Sequence, residues 1–60
     1  MSTLSLDDLE QVYDRLAEAI DAAPEDRRER MLAKLALLLA RELGDRACIE
    51  RQIEAALRDL

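Results

Sequence analysis

Five carboxylates, Asp7, Glu10, Asp14, Glu18 and Asp21, recur at spacings of three and four along one stretch of the chain. On a helix such spacings bring side chains to one side, so these groups form a stripe that could hold a divalent cation or dock a basic surface. Di-metal helical proteins take their ligands from several converging helices and use histidine in a Glu-x-x-His pattern. This chain contains no histidine, and its carboxylates share one face. A solvated acidic face is the expectation, with no metal and no cofactor. Cys48 is the only thiol, so it has no intrachain disulfide partner. It stands at the start of the third helix, where redox or covalent chemistry is conceivable, but a small apolar contact accounts for it better. The hydroxyls are Ser2, Thr3, Ser5 and Tyr13, and the first three fall in a tail or a helix cap. Gly44 is the only glycine, which excludes a glycine-rich phosphate loop. With no histidine base and no placed nucleophile, the expectation is a protein that is not an enzyme.

A second stripe is basic: Arg27, Arg30, Lys34 and Arg41. Residues 24–43 hold five bases and four acids, and no aromatic stands among them to stack on a base. The whole chain carries a formal charge of −5. Nucleic acid is therefore not the expected partner. Pairing of the basic stripe with the acidic one, within a chain or between chains, is the simpler reading. A helix-turn-helix reading around Gly44 fails because Arg46, Arg51 and Arg58 are offset by Asp45, Glu50, Glu54 and Asp59.

These stripes must be positioned by helices. Alanine, leucine, glutamate, aspartate and arginine dominate, and aromatics are 2% of the chain, a vocabulary that forms helices and avoids strands. Ser5 predicts a helix start: its hydroxyl can accept from the Asp8 amide while the Asp8 carboxylate reaches back, with Leu4 and Leu9 as a hydrophobic staple. The first helix is expected over about 6–22, its apolar side formed by Leu6, Leu9, Tyr13, Leu16 and Ile20. Pro24 breaks it and suits the first turn of a second helix, expected over about 24–43. Gly44 ends that helix and Asp45 caps a third, expected over about 46–59, in which Glu54 and Arg58 are spaced for an ion pair. The fold class is all-α: a single domain over 1–60, folded as a three-helix antiparallel bundle.

The second helix carries more apolar surface than two neighbours can cover. Projected at ~100° per residue, its apolar residues fill roughly 260° of the circumference, against the ~100° that one core demands. The flanking helices would hide half to two-thirds of it, leaving Ala33, Leu37 and Ala40 in water. Stability points the same way. Folding of a 6.8 kDa chain should remove ~5,900 Å² from water, ~3,400 Å² of it apolar, a gain of ~85 kcal/mol. Ordering the chain costs ~80–90 kcal/mol. A lone monomer sits near break-even, and with disulfide and metal unavailable a partner must supply the rest. The expectation is a homodimer forming a six-helix bundle, with Ala33, Leu37 and Ala40 at the interface.

Met1-Ser2-Thr3-Leu4 lacks the basic start and apolar run of a targeting segment. The longest apolar stretch, Leu35 to Ala40, falls short of the ~18 residues of a membrane span. A cytoplasmic protein without membrane association is expected.

The run Leu32-Ala33-Lys34-Leu35-Ala36-Leu37-Leu38-Leu39-Ala40, continued through Leu43-Gly44-Asp45, together with Leu6-Asp7-Asp8-Leu9 and Val12-Tyr13, resembles a family of very short bacterial proteins. They are known as a domain of unknown function, family twenty-seven eighty-three. Met31 stands where that pattern would place an aromatic. The resemblance implies no catalytic motif and transfers no site residue. It does imply an alternative role as a small accessory subunit of an enzyme complex, in particular a flavin-dependent oxidoreductase. The leading expectation is a non-enzymatic interaction module that docks on or regulates a larger protein.

Overall fold

The computed structural model describes residues 3–58 and 60; Met1, Ser2 and Asp59 lie outside the described residues. Among those described the chain is all-α, with three α-helices and one short 3₁₀ turn. Helix α1 spans Leu6–Ala22. Ser5 caps it in extended backbone, its Oγ accepting from the Asp8 amide at 3.1 Å. The reciprocal bond from the Ser5 amide to the Asp8 carboxylate is not formed among the described residues, because aspartate is one methylene shorter than the glutamate of a full capping box. Gln11 reaches back instead to Asp7, Nε2 to Oδ2 at 3.0 Å.

Pro24 forces the first corner. The residue before a proline is driven out of helical backbone, and Ala23 accordingly has ψ 140°, with its amide closing on the Ala19 carbonyl at 3.1 Å. Helix α2 does not begin at Pro24, as the sequence suggests. Pro24 is itself extended (ψ 141°), and Glu25–Arg27 follow as a 3₁₀ turn held by the Arg27 amide on the Pro24 carbonyl at 2.8 Å. Regular α-helical backbone begins at Arg28 (φ −63°, ψ −43°), after Arg27 at φ −116° and ψ 0°, so α2 spans Arg28–Leu43. Across this corner Arg28 Nε donates to the Ile20 carbonyl oxygen at 2.9 Å, which satisfies one of the terminal acceptors of α1.

The second corner is built on Gly44, with φ 68° and ψ 21°, whose amide donates to the Ala40 carbonyl at 2.9 Å. This left-handed backbone is the reason for a glycine there. Asp45 then caps α3, Arg46–Arg58, through Oδ1 accepting from the Cys48 amide at 3.1 Å. The expected extension of this helix to 59 lies outside the described residues.

Between the corners the helices stay apart. No described residue is buried, apolar or polar. The radius of gyration is 12.8 Å, against about 10.4 Å for a compact chain of this length. Helices α1 and α3 therefore hide less of α2 than the sequence suggests. Local hydrogen bonds at each corner set the directions of the helices; a shared core does not.

Candidate functional site

Because the helices splay, α2 is flanked by two open apolar grooves. The first, of about 510 Å³, lies between α1 and α2 and is walled by Val12, Leu16, Ala19, Met31, Leu35 and Leu39, together with Gln11 and Arg15. The second, of about 370 Å³, lies between α2 and α3 and is walled by Ala36, Leu39, Ala40, Leu43, Ile49 and Ile53, among others. Leu39 belongs to both walls, yet 59% of it is exposed. Periodicity explains the arrangement: Met31, Leu35 and Leu39 step along one edge of α2 toward α1, while Ala36, Ala40 and Leu43 step along the adjoining edge toward α3.

The strip expected to face water divides between these surfaces. Ala40 is half-buried and lies in the α2–α3 groove. Ala33 and Leu37 are exposed, Leu37 to 73%, and line neither groove. In projection Leu37 shares the outer side of α2 with Arg30, Lys34 and Arg41. The open surface on the inner side, at Leu39, is not indicated by the helical projection, which puts Leu39 under the flanking helices. Its signal was present in the near-zero stability balance of a lone chain.

The polar stripes stay apart. Asp7, Glu10, Asp14, Glu18 and Asp21 are exposed along α1, and among the described residues no cluster of carboxylate or thiol groups is placed to hold a metal. Arg27, Arg30, Lys34 and Arg41 are exposed and form no ion pair with α1 among the described residues. The one ion pair there joins Arg46 Nε to Glu50 Oε1 at 3.1 Å within α3; the expected Glu54–Arg58 pair is not formed. Pairs this open to solvent contribute little. Cys48 is half-buried in the first turn of α3, and the Ser5 hydroxyl is used as a cap. Tyr13 is 72% exposed. Among the described residues, reactive side chains are not gathered at any one place, whereas apolar ones are gathered along two grooves.

These features define a small helical protein whose prominent surface is apolar and open. No protein-family model matches the chain, and no curated protein or solved structure matches it significantly. No helix among the described residues is long and apolar enough to cross a membrane.

Proposed function

We propose that this chain is a non-enzymatic protein–protein interaction module: a homodimer whose two protomers form a six-helix bundle, acting in the cytoplasm by docking on or regulating a larger protein. The observation that carries this reading is the surface left open. The protomer exposes 5808 Å², whereas a compact monomer of its mass exposes about 3,950 Å². Leucines that line grooves on both sides of a central helix favour association, since burying apolar area is the dominant gain when proteins meet. The sequence supplies no histidine, and its hydroxyls and thiol are scattered, which supports a binding role over catalysis.

Sedimentation equilibrium of the purified protein tests the first half of the reading: twice the chain mass is expected, and a folded monomer at all concentrations refutes it. Affinity purification with mass spectrometry tests the second half. Recovery of a regulator or scaffold supports docking. Recovery of one flavin-dependent oxidoreductase in fixed ratio supports instead the accessory-subunit role that the family resemblance implies.

A further inference from the structure

We draw no further inference here: the strongest candidate, the pair of open apolar grooves on either side of α2 that meet at Leu39, carries nothing because nothing in the structure shows what covers it.

Discussion

Arg28 Nε and the Ile20 carbonyl oxygen meet at 2.9 Å across the first corner, joining the start of α2 to the last turn of α1. The two residues lie eight positions apart, and no other side-chain hydrogen bond among the described residues spans more than four. The guanidinium is half-buried, so the bond competes less with water than an exposed one would. It also places a positive group where the dipole of α1 is negative. The C-terminal turn of α1 has no other basic residue.

Arg28→Ala should therefore lower stability by about 1 kcal/mol, the net worth of one hydrogen bond of this kind. Urea unfolding measures it. Amide exchange should speed up between residues 20 and 28 while α3 remains as protected as in the wild type. Uniform acceleration along the chain would show that the bond does not act locally.

At the second corner, Gly44→Ala should cost about 1–2 kcal/mol, because an alanine at φ 68° brings its Cβ too close to the following carbonyl. There is open space where that Cβ would stand, so the loss comes from backbone strain and not from a clash with neighbours. Gly44→Asn, which tolerates this backbone better, should recover part of the loss. Thermal unfolding of the three proteins distinguishes these outcomes.

Two caps should act alike. Ser5→Ala and Asp45→Ala each remove an oxygen that accepts from the amide three residues on, and each should cost about 1 kcal/mol. They begin different helices, so the double variant should lose close to the sum. Helix content by circular dichroism, read with the melting temperature, provides the check.

Leu39 and Leu37 stand two residues apart on α2 and should differ sharply in the assembled protein. Leu39→Ala should cost about 2–3 kcal/mol, as a groove-lining leucine that the proposed dimer would bury. Leu37→Ala should stay within about 0.5 kcal/mol, as a surface substitution. Equal losses at the two positions in denaturant unfolding would contradict the division of α2 into an inner and an outer side.

How much of this could be read from the residues depends on distance along the chain. The ends of α1 and α2 follow from Ser5, Pro24 and Gly44, whose effects reach only three or four residues. The same is true of Asp45. The start of α2 lies four residues beyond the expected one because Pro24 fits a helical first turn as well as the extended corner it adopts, and φ alone does not distinguish them. The Arg28 bond to Ile20 is not legible in the sequence, since a main-chain carbonyl leaves no mark on residue identity. The Glu54–Arg58 spacing predicts a pair that is absent among the described residues, as expected of spacing rules that give only a few tenths of a kcal/mol. The separation of the helices was the least legible property. It depends on what covers Leu39, and that information is not local to any segment.

A side chain shared by two grooves answers to two shapes at once. A larger residue at Leu39 would have to suit the α1 side and the α3 side together, whereas one at Ile53 or Leu16 concerns a single neighbour. In a library of all substitutions, position 39 should accept the fewest replacements, with methionine the mildest, and position 37 should accept nearly any polar residue. Two leucines with only Leu38 between them would then mark opposite extremes of tolerance.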